Sequence, residues 1–312
     1  MSLASFVIVH KDFPLSIDGV NGGAETATLG LAKALSGLGY RVVVGAPLVG
    51  NSGFYNGVNY CDLGEHYDVF GFLQSLRGSD AYHLLCASRM HGILASRNEP
   101  ECLSRTLIAH DSHVEGIGLR AAVASGIADH IVVLSQEQKQ RYVNAGADAA
   151  KLRVVPNGID HDVFYPPRND AMRQSYSLVY SGALVPDKGI DILLAAFRLV
   201  RERITDVTLD IFGSARMWGA NPQYEKELIA QAPGGVTFYG EASQFKVADK
   251  LRQARLSIHP SLIPETFSLS SIEAQACGCP VVAFDSGGIK ETLLAQKTGV
   301  VVKEKTAPTG FP

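Results

Sequence analysis

The sequence predicts an α/β fold made of two doubly wound, parallel-sheet halves. Short runs rich in Val and Ile alternate with longer amphipathic stretches along the chain, the pattern of strands buried on both faces and the helices that cover them. The alternation breaks once, at PNGIDHDVFYPPRND (156–170), where Asn-Gly and paired prolines supply turn chemistry, and then restarts. A chain of 312 residues, 46% hydrophobic and with 31 glycines, is long enough for two cores joined by many tight turns. The expected organisation is a first domain over 1–160, a linker over 161–176 and a second domain over 177–312.

FVIVH (6–10) reads as a buried strand, AETATLGLAKALSGLGY (24–40) as a helix ended by glycines, and RVVVGAP (41–47) as the next strand. The chain therefore opens as a βαβ unit. Further strands are expected at 81–86, 105–110, 130–135 and 152–156, with helices at 118–129 and 136–146. Beyond the linker, strands are expected at 177–182, 208–213, 236–240, 256–261, 280–284 and 298–302. Helices fall at 187–203, 223–232, 244–254, around 269–276 and at 288–296. In open parallel sheets ligands bind beyond the carboxyl ends of the strands, so two such domains are expected to present ligand edges to each other across a cleft.

A formal net charge of −3, with no Lys/Arg block interleaved with aromatics, argues against a nucleic-acid surface. Nothing in the sequence supports membrane contact, and no stretch reaches the length of a membrane helix. Cys61, Cys86, Cys102, Cys277 and Cys279 lack zinc-site or disulfide-framework spacing. They read as reduced thiols, and the expected compartment is the cytoplasm.

Four places carry chemistry. PETFSLSSIEAQACGCPVVAFDSGG, from residue 264, holds Glu265 and Glu273 eight positions apart in an otherwise uncharged run. Ser268, Ser270 or Ser271 caps or begins a helix there, so unpaired backbone N–H groups around Thr266, Phe267, Ser268 and Leu269 form an anion site between two acids. The plainer alternative is a solvated Glu265 and a Glu273 paired with a nearby base. Gly22-Gly23 precedes the first helix, where glycine admits a phosphate or simply makes a turn. His110 ends the strand RTLIAH, followed by Asp111, His113 and Glu115; a ligand-facing histidine, a metal cluster and a polar loop all fit. Lys188 and Gly189 are expected at a helix start, where a lysine opposes the helix dipole unless an anion accompanies it.

Taken together, GGAE, HD after a strand, PNGID, LVPDKG, HPSLIPETFSLSSIEAQACGCPVVAFDSGGIKE and TGVVV resemble the GT4 family of retaining glycosyltransferases. That resemblance implies the GT-B architecture of two Rossmann-like domains and a metal-independent transfer from a UDP- or GDP-sugar, with no further cofactor. It implies a small-molecule, glycan or lipid-linked acceptor and leaves the oligomeric state open. By position, Glu265 would contact donor-sugar hydroxyls and Glu273 the ribose. The amides of Thr266, Phe267, Ser268 and Leu269 would hold the diphosphate together with Lys188. Gly22 and Gly23 would close on the phosphates or acceptor, and His110 would stand near the sugar.

Two departures stand out. Ala183 occupies the place of a family arginine, forfeiting a charge-assisted contact of about 1.5–3 kcal/mol unless Arg216 or another base substitutes. After TGVVV only KEKTAPTGFP follows, where the family has closing helices, so a shortened or truncated form is expected. A sugar-nucleotide-binding protein without catalysis, or an epimerase or hydrolase of the same architecture, are the rival readings.

Overall fold

The computed structural model describes residues 4–10, 13–110, 125–169, 173–216 and 221–303. The chain forms two compact units, Met1–Gly158 and Ile159–Pro312.

In the first unit the described elements are β1 (Ser5–His10), α1 (Gly23–Gly37), β2 (Arg41–Ala46), β3 (Gly53–Tyr55), β4 (Val58–Asp62), α2 (Val69–Ser75), β5 (Tyr82–Ala87), α3 (His91–Ala95), β6 (Cys102–Ile108), β7 (His130–Val133), α4 (Gln136–Asn144) and β8 (Leu152–Val154). The strands form one sheet in the order β3-β4-β2-β1-β5-β6-β7-β8, and only the β3–β4 pair is antiparallel. On β1, Val7 and Val9 pack into one core cluster and Ile8 into another, which is why the middle of the strand is apolar on both faces. Ser135 caps α4 by accepting from the Gln138 amide. The buried Gln138 side chain then donates to Ala109 O and accepts from Leu134 N, tying the ends of β6 and β7 together.

The hairpin β3–β4 and the short helices α2 and α3 were not expected from the sequence. Asn56-Gly57, with both φ positive at 50° and 81°, makes the tight two-residue turn of the hairpin. The helix expected over 118–129 lies mostly outside the described residues.

The second unit contains β9 (Ser177–Ser181), α5 (Ile190–Arg203), β10 (Thr208–Phe212), α6 (Pro222–Gln231), β11 (Val236–Gly240), α7 (Gln244–Gln253), β12 (Leu256–His259), α8 (Leu269–Ala276), β13 (Val281–Phe284) and β14 (Gly299–Val302). Its parallel sheet runs β11-β10-β9-β12-β13-β14. Strand order therefore reverses between β9 and β12, and their carboxyl ends define the topological switch point where open α/β sheets take ligands. Within the expected linker, Val163 and Phe164 are buried in the core of this unit, and Arg173 donates to Ala254 O and Cys277 O, each at 2.9 Å. In place of the helix expected over 288–296 there is a single 3-10 stretch, Gly288–Thr292.

Candidate active site

A recess opens at the β9/β12 switch point. Tyr180, Ser181 and Gly182 line it from the end of β9, and His259, Pro260 and Ser261 from the end of β12. Lys188, Glu265, Ser268 and Ser270 complete the lining. Three sequence-predicted residues, Lys188, Glu265 and Ser268, thus meet in one place.

Lys188 does not sit on a helix start as expected. It ends a 3-10 turn, Pro186–Lys188, and Gly189 separates it from α5 in a left-handed conformation at φ 65°. A Cβ at Gly189 would lie 2.3 Å from Pro260 O, so glycine is what lets this turn press against the chain leaving β12. The contact is reinforced by Leu262 N donating to Asp187 O at 2.9 Å. In this position Lys188 Nζ donates to Glu265 Oε1 at 2.5 Å, with both side chains only 15% exposed. Burial by itself would raise the Glu265 carboxyl. The Lys188 charge and hydrogen bonds from Lys188 and Ser261 outweigh it and hold the carboxyl below its usual range. Glu265 is fixed from behind by backbone bonds, its N–H donating to Ser286 O at 3.1 Å and its carbonyl accepting from Gly288 N at 2.7 Å.

Helix α8 starts at Leu269. Its N-cap, Ser268, is a non-glycine residue at φ 84°, makes no side-chain cap bond, and no acid occupies the first turn. Left-handed backbone at a serine is unfavourable, and here it turns the chain so that a helix start without its own acidic cap lies beside Lys188. Such a start favours an anion through its N–H groups and dipole. Thr266 and Phe267 have buried side chains, so any ligand contact from them is through the backbone. Glu273, one turn into α8, is half-buried by surface area and stands outside the recess lining. Enough protein surrounds its carboxyl that burial pushes the pKa up to about 7.

Ala183 is buried, and its carbonyl accepts from Tyr180 Oη at 2.9 Å. Arg216 is exposed and absent from the recess lining. Lys188 is the one side-chain cation among the described residues that line the recess.

The remaining candidates belong to the first unit. Gly22, extended at φ −73°, is the N-cap of α1, which begins at Gly23. Glu25 in the first turn is buried and lies 3.2 Å from His10 Nε2, fixing the glycine pair over the end of β1. His110 lies two residues beyond β6. Asp111, Ser112, His113 and Glu115 lie outside the described residues. Among the described residues no group of three or more His, Cys, Asp or Glu is placed to hold a metal.

His259, Ser261 and Tyr180 were not singled out from the sequence, and Ser270 was named there only as a residue that caps or begins the helix. The signal was present for two of them: HPS directly follows an apolar strand, and its first and third residues line the recess.

Residues 166–309 match the family described as glycosyl transferases group 1, and residues 21–163 match Glycosyltransferase Family 4. The chain belongs to the GT4 glycosyltransferases. This GT4 chain is 29% identical over 274 residues to a D-inositol 3-phosphate glycosyltransferase of Mycobacteroides abscessus, an alignment covering 83% of this chain and 58% of that protein. It is 32% identical over 186 residues to a lipopolysaccharide 1,2-N-acetylglucosaminetransferase of Salmonella typhimurium, covering 56% of this chain and 49% of that protein. The GT4 chain therefore spans about half the length of the curated relatives it matches. Its fold is GT-B. HepE of Anabaena, solved in complex with UDP-glucose, superimposes with a TM-score of 0.76 at 22% identity, covering 95% of this chain and 85% of that one. A sucrose-phosphate synthase from Thermosynechococcus elongatus gives the same TM-score at 20% identity, covering 96% and 87%. No helix among the described residues is long and apolar enough to cross a membrane.

Proposed function

We propose that this GT4 chain is a retaining glycosyltransferase that moves a sugar from a nucleoside diphosphate-sugar to an acceptor hydroxyl. The observation that carries this reading is the convergence of Lys188, Glu265 and the start of α8 on one recess at the switch point. Lys188 and the amides of the segment leading into α8, from Thr266 to Leu269, hold the diphosphate. Glu265, kept ionised, accepts from sugar hydroxyls, and Glu273 accepts from the ribose. Gly22 and Gly23 act toward the phosphates or the acceptor, and His110 acts near the transferred sugar. A UDP- or GDP-sugar is the donor; the UDP-glucose bound to HepE supports the former. The acceptor is a small molecule, a glycan or a lipid-linked sugar. The five unpaired cysteines fit a cytoplasmic reaction.

In the proposed reaction the bond from the anomeric carbon to the phosphate oxygen breaks, its electron pair leaving with the diphosphate. The acceptor oxygen bonds to the same face of that carbon, and its proton passes to the leaving phosphate oxygen. Charge develops on the diphosphate as it leaves, where Lys188 and the α8 dipole stabilise it. No step calls on a metal.

The test is transfer from UDP- and GDP-sugars to a panel of sugar and lipid-linked acceptors, with product configuration read from the anomeric proton. Retention is expected, with Lys188→Ala lowering kcat/KM by about a hundredfold or more. Inversion, or donor binding without any product across the panel, would contradict the reading.

A further inference from the structure

β12 ends in His259, whose side chain is buried beside the recess. Each ring nitrogen faces a serine. Nε2 lies 2.9 Å from Ser257 Oγ, two residues back on the same face of the strand, and Nδ1 lies 3.3 Å from Ser270 Oγ on α8. Ser257 is buried as well, whereas Ser270 lines the recess with Lys188 and Glu265. Burial pushes the imidazole down to about 4, against an upward pull from Glu265 and with a further downward push from Lys188. At neutral pH the ring therefore has one hydrogen to share between two serines.

Only two arrangements satisfy both contacts. With the hydrogen on Nε2, the ring donates to Ser257 and Ser270 must give its hydroxyl hydrogen to Nδ1. Ser270 then offers the recess nothing but lone pairs. With the hydrogen on Nδ1, Ser257 donates to Nε2, the ring donates to Ser270 Oγ, and the Ser270 hydroxyl hydrogen is available to the recess. An anion in the recess favours the second arrangement and disfavours the first, because hydrogen bonds in a chain polarise one another.

We propose that Ser257, His259 and Ser270 form a relay whose tautomer is selected by the donor, presenting the Ser270 hydroxyl as a hydrogen-bond donor to a diphosphate oxygen. The proposal rests on the reading of the recess as the diphosphate site. It gives that site a donor which brings no charge of its own, in a recess where Lys188 is already paired with Glu265 and Ala183 supplies no cation. Ser270 is thus a binding residue, and His259 and Ser257 are positioning residues that act through it.

Calorimetric titration of the intact chain with UDP and GDP tests this, using the parent, Ser270→Ala, Ser270→Thr and Lys188→Ala. Nitrogen-15 spectra of the histidine rings, with the His259 signals identified by their loss in His259→Gln, are recorded with and without the better-binding nucleotide. The expected results are about tenfold or greater weakening in Ser270→Ala, recovery in Ser270→Thr, and a shift of His259 toward the Nδ1–H tautomer on binding. If Lys188→Ala weakens binding but Ser270→Ala does not, or if the tautomer stays the same, the relay is refuted and the site reading stands. If Lys188→Ala also binds like the parent, the site reading fails and the relay falls with it.

Discussion

At the scale of single residues, the two acids of the α8 region are set apart by their surroundings. Glu265 has a cation, Lys188, and one hydroxyl, Ser261, as partners and is held ionised; Glu273 has burial as its resolved influence and holds its proton to about pH 7. The consequences have opposite signs. For Glu273 the folded pKa lies above the unfolded value of 4.5, so stability falls as pH rises through that window, by at most about 3 kcal/mol above it. For Glu265 the folded pKa is depressed, so its contribution is present at neutral pH and lost as pH falls through the acid range. An ionised carboxylate accepts from two ribose hydroxyls more strongly than the protonated acid does, so nucleotide binding at Glu273 is expected to release a proton. The parent should bind UDP or GDP more tightly at about pH 8 than at about pH 6, and Glu273→Gln should flatten that dependence. Calorimetry in buffers of different ionisation enthalpy checks it; a parent affinity independent of pH would count against Glu273 as the ribose acceptor.

At the scale of elements, the site depends on short irregular segments more than on the helices and strands that flank them. Gly189 and Ser268, both left-handed, turn the chain at the two places where the recess is built. Gly189→Ala would place a methyl group against Pro260 O, and should destabilise the fold by about 1–2 kcal/mol or more while moving Lys188. A lowered Tm with weakened nucleotide binding is expected; unchanged binding would show that the turn does not set the lysine. This is also where the sequence was hardest to read. Apart from the β3–β4 hairpin, the strands of both sheets are legible because a strand buried on both faces writes itself as an unbroken run of Val and Ile, as at RVVVGA and VVAF. Lys188 was misplaced onto a helix because LVPDKGIDILLAAF has continuous helical periodicity, and nothing local announces that Gly189 must avoid a carbonyl more than seventy positions away. The relay histidine is not legible in the sequence because Ser270 meets it only once α8 packs on β12, although Ser257 is its neighbour on the same face of the strand.

At the scale of the whole molecule, each unit has its own sheet and its own cores, and the candidate residues divide between them. Lys188, Glu265, Ser268, Ser270 and Glu273 belong to the second unit, while Gly22, Gly23 and His110 belong to the first. The proposed division of labour predicts that donor recognition and turnover separate by unit. The most direct measurement is a calorimetric comparison of UDP and GDP binding, without added metal, by the parent, Lys188→Ala, Glu273→Ala and His110→Ala. One nucleotide should bind, both second-unit substitutions should weaken it by about tenfold or more, and His110→Ala should leave its affinity within about twofold. Binding that ignores Lys188 and Glu273, or that is lost with His110 alone, would contradict a nucleotide site at the switch point of the second unit.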